Sequence, residues 1–192
     1  MHTTRARHYA LLSRLLADQS RKSDLARYLA WAEDLAKGQE KRVLQPFIEI
    51  LRTWLQKEDA DQGLQVEFGH LFLMPVGVKP YESAYRSKEK LLMQEPWVEV
   101  KKFFKKCGLQ MKDSYGHPED HAAIELSFMA HAVGSDAEED VGKEFFHQHI
   151  ITWIPDLLLD LRDNDYADFF RGVAEYGLLF LEAEKKHYHK TS

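Results

Sequence analysis

Three Glu-x-x-His pairs, Glu67 with His70, Glu144 with His147 and Glu184 with His187, are the residues here whose types and spacing most resemble a metal-binding set. On a helix this spacing puts both side chains on one face, as di-iron carboxylate bundles require, and Glu49 and Glu125 could supply the further carboxylates. With 10 histidines in 192 residues, roughly one such pair would arise by chance, so three are a modest excess. A second constellation is Asp120-His121 with Glu125, where the glutamate lies one helical turn from the imidazole and could orient it. His147-Gln148-His149 could chelate only in an extended chain, because residues two apart on a helix do not share a face; they read as polar positions beside a buried stripe. Nucleophilic catalysis has no good candidate. No serine sits in a nucleophile elbow, and the lone Cys107 falls at a helix end where the dipole does not favour a thiolate. Neither a Gly-x-Gly-x-x-Gly turn nor a Walker A loop is present, so no nucleotide cofactor is implied.

The elements that must position these groups are helices. Gly and Pro are few, and the stretches between them are rich in Leu, Ala, Glu, Lys and Arg. Apolar spacings of three and four predict helices over Ala6 to Leu16, Leu25 to Leu35, Val43 to Leu55, and from the 57–61 polar run to about Leu73. Trp97 to Phe104 follow, closed by Gly108, and residues 109–117 read as a connector. Pro118-Glu119-Asp120 has the composition of a helix start, leading to Ile124 through Val133. Phe146, Ile150, Trp153, Leu157 and Leu161 form one stripe, Tyr166 to Leu181 a last buried helix, and the tail beyond Leu181 is expected to fray. Between the fourth and fifth of these segments, Leu71, Phe72, Leu73, Met74, Val76, Val78, Tyr81 and Tyr85 surround Pro75 and Pro80. That loop fits either a cap on the core or an apolar groove able to take a peptide.

Composition narrows the function classes. A net charge of −5, from 26 Lys+Arg against 31 Asp+Glu, with signs interspersed, argues against nucleic-acid binding, and the set Lys101, Lys102, Lys105 and Lys106 reads as a solvated face. A single cysteine excludes disulfide scaffolds and multi-thiolate clusters. No apolar run approaches a membrane span and the first residues lack a signal-peptide core, so a cytoplasmic protein without stable membrane insertion is expected. The length suits one all-α domain over residues 1–192 that needs no metal or disulfide staple, with a hinge near 109–117 that could exchange helices between protomers, giving a monomer or a homodimer.

Several ordered motifs then fall together. Glu67-Phe68-Gly69-His70-Leu71-Phe72-Leu73-Met74-Pro75, Pro80-Tyr81-Glu82-Ser83-Ala84-Tyr85, Pro118-Glu119-Asp120-His121 running to Glu125-Leu126-Ser127-Phe128-Met129, and His149-Ile150-Ile151-Thr152-Trp153-Ile154-Pro155 resemble the motifs of the TorD/DmsD/NarJ family of redox-enzyme maturation chaperones. One departure is local: the glycine some members carry between the Tyr85 region and the next helix has no counterpart in Leu92-Met93-Gln94-Glu95. The resemblance implies a TorD-like helical bundle that is not an enzyme and carries no cofactor of its own. Its partner would be the catalytic subunit of a molybdopterin-dependent oxidoreductase, or that subunit's twin-arginine signal peptide, held until cofactor insertion is complete. On the matching positions, Asp120 and His121 would bind the signal peptide, and Leu71, Phe72, Pro75, Pro80 and Tyr81 would lie on the groove side. Glu82 and Tyr85 complete the client-binding set, while Glu67, Glu125, Pro118 and Trp153 are motif positions of structural character. Two guanidinium groups of such a peptide would find Asp120, Glu119 and Glu82 as carboxylate partners. The di-metal bundle enzyme is the alternative.

Overall fold

The computed structural model describes residues 3–37, 41–111, 116–134 and 139–190. Among them run ten α-helices: α1 (Thr4–Ala17), α2 (Lys22–Leu35), α3 (Lys41–Gln56), α4 (Ala60–Phe68), α5 (Glu82–Arg86), α6 (Glu95–Lys106), α7 (Ala122–Ala132), α8 (Glu139–Phe145), α9 (Ile151–Arg162) and α10 (Phe169–Lys190). A π-helical turn over Gly69–Leu73 extends α4, and another over Phe146–Ile150 joins α8 to α9. The described residues contain no strand, only an isolated antiparallel bridge between Tyr81 and His121. The fold is the all-α architecture that the apolar spacings require, and its buried apolar side chains form one cluster running from Ala6 to Tyr188.

Helix α1 packs along α7, α2 along α3, and α10 against both α9 and α3. Small residues permit the closest of these approaches. A Cβ at Gly172 would stand 2.5 Å from Ile50 Cγ2, and one at Gly177 would stand 2.8 Å from Leu158 Cδ1. Both distances are inside van der Waals contact, so α10 seats on α3 and α9 because these two positions carry no side chain.

Three sequence expectations are corrected. Pro118-Glu119-Asp120 does not open a helix: it forms a turn closed by the His121 N–H on the Pro118 carbonyl, and α7 begins at Ala122 because His121 is extended and bridged to Tyr81. The segment beyond Leu181 is not frayed; α10 continues to Lys190, with Glu184 and Tyr188 buried. Arg5 accounts for this by donating to both Glu184 carboxylate oxygens at 2.7 and 2.9 Å and lying over the Tyr188 ring. Tyr166 is excluded from the last buried stripe; it is exposed and stacks on His70 with ring centroids 4.2 Å apart. The connector expected to act as a hinge, 109–117, lies partly outside the described residues.

Glu67, the first motif carboxylate, caps the longest helix from a distance. Its oxygens accept from the backbone N–H groups of Asp168 at 2.9 Å, Phe169 at 3.1 Å and Phe170 at 2.7 Å. Those donors have no partner within α10, and the negative charge meets the positive end of the helix dipole. Glu67→Ala should therefore cost about 2–3 kcal/mol in a urea melt. Glu67→Gln, which keeps one acceptor oxygen, should cost less.

Candidate functional site

The motifs meet where residues about forty apart pair by their backbones. The Glu82 N–H donates to the Asp120 carbonyl and the Ala122 N–H donates to the Pro80 carbonyl, both at 2.9 Å. This pairing brings the Asp120 side chain to the first turn of α5, where its Oδ2 accepts from the Ser83 N–H at 3.0 Å and from the Ser83 hydroxyl at 2.5 Å. Ser83 Oγ in turn accepts from the Met93 N–H at 3.1 Å. His121 is the N-cap of α7: its Nδ1 accepts from the Ala123 N–H at 3.1 Å, and its ring meets Tyr81 edge-on. The Tyr81 hydroxyl lies 2.9 Å from His117 Nδ1. Asp120 and His121 are thus both buried caps, the first for α5 and the second for its own helix.

Behind them lies a second layer of buried charge. Glu82 bonds His149 Nδ1 at 2.9 Å and also the guanidinium of Arg86, one turn along α5. Glu125 Oε2 accepts from the Trp153 indole N–H at 3.0 Å, while its Oε1 and Asp120 Oδ1 have no protein partner. Glu125 therefore faces Trp153 and Glu82 instead of orienting His121. Burial first, then the neighbouring charge of Glu82, pushes the Glu125 carboxyl well above the usual range. Asp120 is raised too, mainly by burial and against the hydrogen bonds from Ser83. His121 moves the other way, down to about 3, because burial and the charge of His117 both oppose its protonation.

Other expected site residues divide between core and surface. Leu71 and Pro80 are buried, and Phe72 packs half-buried between Phe68 and Phe170 at 5.0 Å from each. Pro75 is exposed together with Leu73, Met74 and Val76. Tyr85 stacks at a tilt on Trp153 and its hydroxyl donates to Asp160 at 2.8 Å. Pro118 is half-buried and its carbonyl accepts from the His121 N–H. Glu119 is engaged by the Trp97 indole at 2.6 Å. Sequence reasoning passed over Ser83, Arg86 and His149. The signal for His149 was its place four residues before Trp153, which on a helix shares that residue's buried face.

Arg86 leads from this network to solvent. It borders an open cleft of about 600 Å³ whose walls carry Lys102, Lys106, Glu99 and Glu144, with His149 beneath. The Glu-x-x-His pairs do not assemble a metal centre. Glu67 is spent on α10, Glu144 on Lys106 at 3.0 Å and Glu184 on Arg5. Among the described residues no three His, Cys, Asp or Glu side chains are grouped to hold an ion. The same residues contain no helix long and apolar enough to cross a membrane.

Residues 14–158 match the family described as the nitrate reductase delta subunit. The chain belongs to that family, the TorD/NarJ maturation chaperones. The chaperone protein TorD of Vibrio cholerae serotype O1 is 27% identical over 203 residues, covering 96% of this chain and 92% of that protein. TorD of Vibrio atlanticus is 28% identical over 201 residues, covering 95% and 94%. Among solved structures, a protein from Archaeoglobus fulgidus described as a redox enzyme maturation protein superposes with a TM-score of 0.65 at 20% identity, over 92% of this chain and 93% of its own. The TorD/NarJ fold is therefore common to both, and the TorD relatives are named as chaperones, not as enzymes.

Two pH responses follow from the buried groups. The folded pKa of His121 lies below its ordinary 6.5, so its contribution is intact above pH 6.5 and is lost as pH falls toward 3, by roughly 2 kcal/mol at pH 5. His121→Asn keeps a capping acceptor without the titration, and should shrink the stability loss between pH 7.5 and pH 5 in denaturant melts. Glu125 has the opposite sign. Its raised folded pKa means the unfolded chain ionises first, so stability declines as pH climbs above the usual carboxylate range. Glu125→Gln retains the acceptor for Trp153 and should gain on wild type at pH 8 relative to pH 5.

Proposed function

We propose that this chain binds the catalytic subunit of a molybdenum-cofactor oxidoreductase before its cofactor is in place. It would hold the subunit by a twin-arginine signal peptide, by the unfolded mature chain, or by both, and release it once the cofactor is inserted. The observation that carries this reading is the convergence of the motifs at residues 80–86, 118–125 and 149–153 on one buried network, inside a TorD/NarJ chain whose neighbouring loops leave large apolar side chains in water. Val76 is 94% exposed and Leu73 71%. Side chains of that kind suit an unfolded or extended partner, and Met74 beside them adapts to varied shapes. A client of this sort acquires its cofactor and folds in the cytoplasm, which is where the chaperone would act. The chain would work as a monomer, or as a homodimer if the 109–117 connector exchanges helices.

Asp120, His121, Tyr81, Glu82 and Tyr85 would contribute by setting the shape of this surface, and Pro75 and Phe72 by lining it. Because Asp120 and Glu82 are buried and already bonded, a guanidinium from the client would reach them only if Arg86 and the loops around it gave way. Tagged protein purified from its native host should bring down a molybdopterin-dependent catalytic subunit, with no stoichiometric metal on the bait. Recovery of stoichiometric iron or manganese without such a partner would sink the proposal.

A further inference from the structure

Residues 87–94, between α5 and α6, hold three consecutive apolar side chains in water: Leu91 is 58% exposed, Leu92 42% and Met93 52%. The described non-glycine residues with left-handed backbone both lie in this segment, Lys90 at φ 52° and Met93 at φ 57°. Bulky side chains resist that conformation, so something must hold it. The bonds within the segment are local, from the Lys90 N–H to the Ser87 carbonyl, from the Ser87 hydroxyl to the Leu91 carbonyl and from the Gln94 side-chain amide to the Leu92 carbonyl. The ends of the segment continue the ladders of α5 and α6, through the Ser87 N–H on the Ser83 carbonyl and the Val98 N–H on the Gln94 carbonyl. The tie from its apolar stretch is the Met93 N–H on Ser83 Oγ, with Ser83 itself fixed by donating to buried Asp120.

We propose that Ser83 and Asp120 are positioning residues for this segment: the relay Met93 N–H to Ser83 Oγ to Asp120 Oδ2 holds residues 87–94 in the strained form that presents Leu91, Leu92 and Met93 to an apolar stretch of the incoming subunit. This rests on the function proposed above and deepens it. Asp120 then governs client capture without touching the client, which reconciles its complete burial with a role in binding. The strain is confined to the presenting segment, and the latch is built from side chains of two motifs that the Pro80–Ala122 backbone pairing brings together.

Hydrogen exchange on the full chain tests the latch directly. In wild type the Met93 amide should exchange at least tenfold more slowly than those of Leu91 and Leu92, and equal rates would overturn the proposal without any variant. Ser83→Ala should raise Met93 exchange at least tenfold while leaving α7 and α9 protected, and Ser83→Thr, which keeps the hydroxyl, should restore protection. Loss of protection throughout the domain in Ser83→Ala would show a general structural role and count against a local latch. Capture of the catalytic subunit from the native host supplies the second readout. Ser83→Ala and a Leu91→Ser/Leu92→Ser double variant should each lower recovery about tenfold, the double variant without changing Met93 protection. Undiminished recovery in either would remove the presenting role. If wild type recovers no subunit, the proposed function falls together with that role, and the exchange rates alone decide the latch.

Discussion

Everything at the motif site depends on two backbone hydrogen bonds between Pro80–Glu82 and Asp120–Ala122. They are short-range forces joining segments far apart in the chain, and their geometry is extended, not helical. Asp120, in the turn ahead of the bridge, reaches the first turn of α5, while His121, the extended residue, caps α7. Each then satisfies backbone donors that a helix terminus cannot satisfy for itself. The pairing thereby starts two helices at once and carries Glu82 inward to His149.

The network beneath is an arrangement of acids in which charge must be limited. Asp120, Glu82 and Glu125 are all fully buried, and three ionised carboxylates at such a depth would repel one another. Arg86 and His149 bond Glu82, the Ser83 donors bond Asp120, and burial beside Glu82 opposes ionisation of Glu125. The arrangement explains why the acids at motif positions need not coordinate an ion to be buried together.

The helices were legible because their apolar residues recur at three and four, and Phe146, Ile150, Trp153, Leu157 and Leu161 are all buried as that spacing requires. What periodicity could not show is where a helix departs from 3.6 residues per turn. The π turn at Phe146–Ile150 is such a departure, and three of its five side chains, His149 among them, are buried. Local composition misled at Pro118, where helix-start residues lost to a long-range backbone pairing, and at the final segment, where charged residues looked solvated but Glu184 had a partner 179 positions away. Of the residues that the TorD-like motifs singled out, Tyr81, Glu82, Asp120, His121, Glu125 and Trp153 meet around one buried network, through contacts between segments that no single stretch encodes. Met93 occupies the backbone conformation that glycine adopts freely, in a stretch where the sequence carries no glycine.

The ion pair between Arg5 and Glu184 also has a bearing on how the protein comes into being. Arg5 is synthesised 179 residues ahead of Glu184, and α1 meets its main packing partner only when α7 has been made. At ordinary elongation rates of about 5–20 residues per second, the N-terminal helix waits roughly ten to forty seconds for its acid. During that interval its apolar face, with Leu11, Leu12, Leu15 and Leu16, has no completed core to enter. A member of a family of maturation chaperones thus itself passes through a stage with unburied leucines before α7 and α10 have been made.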